Sequence, residues 1–370
     1  MHDLSDIASH FIIQGDFASA EPYGSGHIND TYKVDFVQSG TPVRYIFQRI
    51  NHRVFADPAR LMENISRVCE HAQSKLRLAG TPDASRRALT LVPTWRGGSF
   101  HVDGEDHWRC YPFIENARTY DVIESTAQAR AGAEAFGRFQ GLLADLPGKR
   151  LFETIPDFHH TRRRYENLIR TYRADPVGRA ALVADEIAFV RAREPEAGVI
   201  VDAVESGLIP ERTTHNDTKL NNVMIDDETG EGVCVIDLDT VMPGTALNDF
   251  GDMVRTATIS CAEDETDLSK VHMRLEYFEA LVEGYLAGAS DFLTTGEIEL
   301  LPISGKIITL ECGIRFLTDF LEGDVYFKTK HDTHNLDRCR TQLRLVSSIE
   351  DQMDGMRDCL DRFTATPTTP

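Results

Sequence analysis

The chain has 370 residues, 41% hydrophobic and 26% charged, the proportions of an ordinary globular protein with material for one large domain or two lobes. Its formal charge of -20 disfavours nucleic acid or an anionic membrane as partner. No run of about 18 apolar residues suggests a membrane span, and the N-terminal "MHDLSDIASHF" lacks the basic and apolar regions of a secretory signal. The seven cysteines are scattered without a C-x-x-C pair, which predicts free thiols in a reducing cytoplasm and argues against a zinc site or a disulfide framework.

In chain order, "HINDTYKVDF" and "VRYIFQRI" read as two strands joined through "VQSGTP". Asp57-Pro58 opens a helix through "ARLMENISRVCEHAQSKL". "ALTLVPTW" and "HWRCYPFI" read as two further strands. A small sheet with one packed helix is therefore expected over residues 1–115. From residue 116 the pattern turns helical. "STAQARAGAEAFGRFQGLLADL" is amphipathic with Ser125 as its N-cap, and "HHTRRRYENLIRTYR" is a second helix whose arginines 162–164 read as a solvated face. After Ser269 helices dominate, and the tail "TATPTTP" is expected to be disordered. The division is thus a β-rich lobe over 1–115 and a larger, mostly helical lobe over 116–370.

The stretch from Arg212 to Asp252 breaks the pattern, with seven Asp in forty-one residues. His215-x-Asp217-x-Lys219-x-x-Asn222 precedes a short strand, "NVMID"; the turn "DETGEG" leads to a second, "VCVID", ending at Asp237. Two short antiparallel strands would bring Asn222 and Asp237 toward one end of a hairpin. This is the layout of a kinase-type phosphoryl-transfer site. A hydroxyl nucleophile needs a carboxylate to orient it and accept its proton, here Asp217. Mg²⁺ needs hard oxygen ligands, which the amide of Asn222 and the carboxylate of Asp237 supply. Asp237 is expected to be buried until metal and nucleotide arrive. Asx residues also cap turns, so each alone has a structural explanation. Asp239 reads equally as a second metal neighbour or a solvated strand end. Asp249, in "LNDFGD", reads as a buried brace or a helix cap.

"HNDTKLNN", "VIDLD" and "NDFGD" resemble the aminoglycoside phosphotransferase and choline kinase superfamily, which shares the bilobal α+β protein-kinase-like fold. Longer blocks, among them "EPYGSGHIN", "IDLDTVMPG", "ECGIRFL", "LEGDVYF" and "HNLDRCRTQ", resemble its N-acetylhexosamine 1-kinase branch along nearly the whole chain. The resemblance implies ATP and Mg²⁺ as cofactors, Asp217 as catalytic base, and Asn222 and Asp237 as metal ligands. It implies that the loop carrying Gly24, Ser25, Gly26 and Asn29 covers the phosphates; its two glycines alone are equally explained by a tight turn. It also implies sugar contacts at His27, Arg315 and Tyr326, although Arg315 reads equally as a surface or paired arginine and Tyr326 as core. "WRCYPFIEN" resembles the inter-lobe connection that meets adenine. One departure stands out: Gln48 occupies the strand position where such kinases carry an ATP-binding lysine. Lys219, two residues after Asp217, offers a cation for the transferred phosphoryl group. The expected activity is phosphorylation of the anomeric hydroxyl of an N-acetylhexosamine in the cytoplasm. A kinase for a cationic alcohol such as choline or an aminoglycoside, or an inactive nucleotide-binding module, are the alternatives.

Overall fold

A computed structural model describes residues 2–24 and 28–364. In chain order these form α1 (Leu4–Ser9), β1 (Asp16–Pro22), β2 (Asp30–Gln38), β3 (Thr41–Ile50), α2 (Pro58–Leu78), α3 (Ala84–Arg87), β4 (His101–Asp103), β5 (Asp106–Pro112), β6 (Ala117–Arg118), α4 (Thr126–Leu143), α5 (Thr161–Ala174), α6 (Ala184–Arg191) and α7 (Val199–Glu205). There follow β7 (Arg212–Thr214), β8 (Val223–Asp226), β9 (Gly232–Val235), β10 (Met242–Gly244), α8 (Ala246–Ala257), α9 (Leu275–Ala289), α10 (Thr295–Glu322), α11 (His334–Asp351) and α12 (Met353–Thr364). The fold is α+β and kinase-like, with a β-sheet N-terminal part and a mostly helical C-terminal part. Two compact units are present. The first holds the residues up to Arg118 together with Asp145–Pro156 and Met224–Met242; the second holds Thr119–Ala144, Asp157–Val223 and the residues from Pro243 onward.

In the first unit, five antiparallel strands run in the order β1-β2-β3-β5-β4. Ser39 and Gly40 join β2 to β3, both with positive φ (50° and 84°). Such a two-residue turn matches the twist of the strands it joins. One sheet face packs on a core of Ile7, Phe11, Val34, Phe47, Trp108 and Cys110. Helix α2 starts where Asp57 caps it, its side chain accepting from Arg60 N at 3.1 Å with Pro58 next in line. Asn64, buried in this helix, donates to Phe152 O (2.8 Å) and Val241 O (3.1 Å), which ties the two later chain segments to the helix.

Two expected strands differ. "ALTLVPTW" is no strand. Val92 N reaches Cys110 O at 2.8 Å, but Pro93 has no N–H and its carbonyl accepts Ile12 N instead, so no ladder propagates. The strand expected to run to Asp237 ends at Val235. Asp237 has φ 59°, a left-handed conformation that stops pairing and starts a short 3₁₀ turn over Leu238–Thr240.

In the second unit, Ser125 caps α4 by accepting from Gln128 N at 3.2 Å. Helices α4 and α9 approach closely: a Cβ on Gly284 would lie 2.1 Å from the Arg130 carbonyl oxygen. Helix α10, 28 residues long, starts in a capping box of Thr294 and Glu297 and ends at Gly323 with φ 95°. Around it Leu168, Ile187, Ile314, Phe320 and Val346 form a buried cluster. The last helical run is broken at Gln352 into α11 and α12. No helix among the described residues is long and apolar enough to cross a membrane. The cysteines are free, and most are buried.

Candidate active site

The loop that follows β7 is held from beneath by Asp249 in α8. Its carboxylate is fully buried and accepts His215 N at 2.9 Å, Asn216 N at 2.7 Å and Gln140 Nε2 at 2.5 Å. Thr218 Oγ1 donates to the Asp249 carbonyl at 2.5 Å. Burial pushes the Asp249 carboxyl upward, and these donors oppose that rise. Asn216 adopts φ 66°, and its side chain bonds both ways with Thr214 at 3.1 Å. Gly244 is required beside this bend, since a Cβ there would sit 2.3 Å from Thr214 Oγ1 and 2.4 Å from Asn216 Oδ1.

From that bend projects Asp217. Lys219 Nζ lies 3.5 Å from its Oδ1, Asn222 Nδ2 donates to its carbonyl at 2.9 Å and faces Oδ2 at 3.4 Å, and its own N–H meets His215 Nδ1 at 3.3 Å. Burial would raise the Asp217 carboxyl, but Lys219, His215 and Arg255 outweigh it and hold it below its ordinary value. The carboxylate in turn raises the Lys219 ammonium. Both side chains keep contact with water, at 29% and 45% exposure, so the pair is ionised without being locked. Lys219 also lines a cavity of about 330 Å³ with Arg255, Glu263, Arg274 and Gln342. Arg255 there is buried against Asp252 (2.8 Å) and Glu263 (2.9 Å). Neither Arg315 nor Tyr326 lines this cavity.

Behind the same loop lies a contact with no signal in the sequence. His159 places Nε2 2.9 Å from the Asn216 carbonyl and Nδ1 2.7 Å from Glu311, which also accepts Thr161 Oγ1 at 2.6 Å. Burial lowers this imidazole, yet Glu311 and the Asn216 carbonyl more than compensate, so its affinity for the proton is raised. Both ring nitrogens then donate. One turn along α10 from Glu311, Arg315 stacks over the rings of Phe158 (4.9 Å) and Phe327 (5.6 Å). Among the described residues its guanidinium has no ion-pair partner. Arg164 departs from the expected solvated face. It is half-buried, donates to Phe158 O at 3.1 Å, and is pushed below its usual value by burial and then by the charge of Arg315. Tyr326 is not core: it is 58% exposed. Its N–H, with those of Val325 and Phe327, is fixed by Asp319.

In the first unit, β8 and β9 are neighbours in one small sheet, with Asn222 one residue before β8 and Asp237 two residues beyond β9. The burial is the reverse of that expected. Asp237 is exposed, and Asp239 is the buried one, at 3%. Asp239 is not a solvated strand end. It accepts Asn29 Nδ2 at 2.5 Å and pairs with Arg109 of β5, which is 1% exposed. Arg109 Nε donates to Gln48 Oε1 at 2.9 Å, and Gln48 Nε2 to Thr31 Oγ1 at 3.1 Å. Asn29, expected over the phosphates, also accepts Asn51 N at 3.0 Å. Arg49 points to the other face, onto Asp30 and Asp106. The one trace of Arg109 in the sequence is a charge inside the apolar run "HWRCYPFI". Gly24 has φ 81°, and Ser25, Gly26 and His27 lie outside the described residues.

The protein is similar in structure to the microcompartment-associated aminopropanol kinase (17% identity over 95% of this chain and 97% of that one, TM-score 0.62). It is also similar to choline kinase from Cryptosporidium parvum Iowa II (14% identity, 95% and 96% covered, TM-score 0.53). A third similar structure is spectinomycin phosphotransferase in complex with ADP and spectinomycin (14% identity, 95% and 97% covered, TM-score 0.50). These likenesses concern the fold. The profile of the phosphotransferase enzyme family (APH) matches residues 19–289, and with the kinase-like fold and the braced Asp217 loop it establishes that the chain belongs to that family.

Proposed function

We propose that the protein is an ATP- and Mg²⁺-dependent kinase that phosphorylates the anomeric C1 hydroxyl of an N-acetylhexosamine. Asp217 holds the acceptor hydroxyl and takes its proton, a role for which its depressed proton affinity keeps it ionised. Lys219, at 3.5 Å from that carboxylate, would meet charge on the transferred phosphoryl group. Asn222 and Asp237 offer the amide and carboxylate oxygens that a magnesium ion accepts, and would hold it; the ion would offset phosphate charge. Among the described residues no group of three or more His, Cys, Asp or Glu is arranged to hold a metal ion, so phosphate and water oxygens would complete the ligand set.

The observation that carries the substrate class is Arg315. A guanidinium over two aromatic rings, with Arg164 beside it and no ion-pair partner among the described residues, repels a cationic acceptor and offers directed donors to a neutral one. The same observation disfavours an aminoglycoside, choline or amino-alcohol. The aromatic faces suit the acetamido methyl and the apolar face of a pyranose.

The test is turnover of a panel of hexoses, N-acetylhexosamines, aminoglycosides and choline with MgATP, with products identified by phosphorus NMR. N-acetylglucosamine and N-acetylgalactosamine should give the 1-phosphate, and their methyl glycosides none. Asp217→Asn should lower kcat by roughly 10²–10⁴-fold with MgATP affinity little changed. Phosphate at C6, or transfer to choline or an aminoglycoside in preference to every hexosamine, refutes the substrate assignment.

A further inference from the structure

We propose that Arg109 is the cation that meets the nucleotide phosphates, delivered from β5 in place of a lysine on β3, and that Asp239 holds it in position. The inference rests on the reading of the chain as an ATP-using kinase and concerns which residue serves the nucleotide.

Register comes first. Gln48 and Arg109 are direct partners across the β3–β5 ladder, so their side chains leave the sheet on the same face. Gln48 is neutral. The other basic residues of β2, β3 and β5 are engaged elsewhere: Lys33 with Glu21, Arg44 with Glu115, and Arg49 with Asp30 and Asp106. Arg109 alone among them is fully buried, and it reaches across to Gln48.

Charge follows. A guanidinium cannot stay buried without an anion. Asp239 supplies one, and its second oxygen is held by Asn29, at the end of the loop that starts at Gly24. The Asp239 carbonyl is fixed by Thr154 Oγ1 at 3.0 Å. Arg109 thus joins the sheet to the turn that carries Asp237, whose charge also acts on it. Only two of its nitrogens are spent: Nε on Gln48 and Nη1 on Asp239, while Nη2 makes no hydrogen bond among the described residues. A planar fork with a spare edge is the geometry that grips phosphate oxygens. An arginine needed for packing alone would be served by Asp239 and Gln48 without that spare edge.

Two neutral replacements of the pair separate function from packing. Arg109→Gln/Asp239→Asn keeps a hydrogen-bonding pair, and Arg109→Met/Asp239→Leu fills the space with apolar groups, a change that often leaves a fold intact. Titration calorimetry with MgATP and with adenosine reads each. The expected result is MgATP affinity weakened roughly tenfold or more, the effect of a lost charge-assisted bond, with adenosine affinity within about twofold of the wild type. Adding Gln48→Lys to the second variant should restore most of the MgATP affinity, because the charge then arrives from β3. MgATP affinity unchanged in a folded double variant overturns the proposal. So does parallel loss of adenosine and MgATP, which marks a structural pair. Wild-type protein that binds no MgATP overturns the kinase reading itself, whereas normal wild-type binding with indifferent variants overturns only the role of Arg109.

Discussion

At the scale of single residues, the loop that carries Asp217 depends on a proton. His159 can bond both the Asn216 carbonyl and Glu311 as a donor only while it is an imidazolium. Its proton affinity is raised in the folded protein, so its contribution is complete below its ordinary value of 6.5 and is lost as pH rises through the folded value. Glu311 is lowered, so its contribution is present above its ordinary 4.5 and fades as pH falls through its own folded value. The pair is therefore strongest between those limits and loosens on the alkaline side. Melting temperatures measured between about pH 5 and pH 9 should fall more steeply for the wild type than for His159→Gln once pH passes the ordinary histidine value. Parallel curves would show that the pair does not titrate as described.

Elements in this protein are placed by the absence of side chains as much as by their presence. Helices α4 and α9 touch backbone to backbone at Gly284, where the opposing Arg130 carbonyl cannot retreat without moving a helix. Gly284→Ala should destabilise the protein by about 1–3 kcal/mol, the cost of overpacking a close contact. Gly141, in α4, is a control: a Cβ there lies 3.6 Å from the Phe292 ring, an ordinary contact. Gly141→Ala should be neutral or slightly stabilising, because alanine loses less entropy in a helix. Equal effects of the two substitutions in urea denaturation would contradict the packing argument.

On the scale of the molecule, the sheet-bearing unit is assembled from three separate stretches of chain. Arg109 in the first stretch needs Asp239 from the last, and Asn64 needs Phe152 and Val241 from the other two. A fragment ending at Arg118 would bury Arg109 without its anion, at a cost of about 3–5 kcal/mol, and would leave Asn64 without its carbonyl partners. That fragment should lack near-ultraviolet circular dichroism and bind hydrophobic dye, although its residues carry the same local strand and helix propensities as in the whole protein. A cooperative, fully packed fragment would mean that the sheet is self-sufficient.

What the sequence determined by itself follows from local chemistry. Asp57-Pro58 and Ser125 announced their helices because a cap satisfies N–H groups within one turn. Residue types at short spacing also marked Asp217, Lys219 and Asn222 as one loop, and in the structure Lys219 and Asn222 both reach the Asp217 carboxylate. Where the sequence misled, a single backbone feature intervened, as with Pro93 in an apolar run or the left-handed Asp237 at the end of β9. Only the tertiary structure decided which charges are paired. Arg109 and Asp239 stand 130 positions apart, and His159 and Glu311 stand 152 apart. A buried charge is tolerated only when its counter-charge arrives from elsewhere in the fold, and that arrival leaves no pattern in the neighbouring residues.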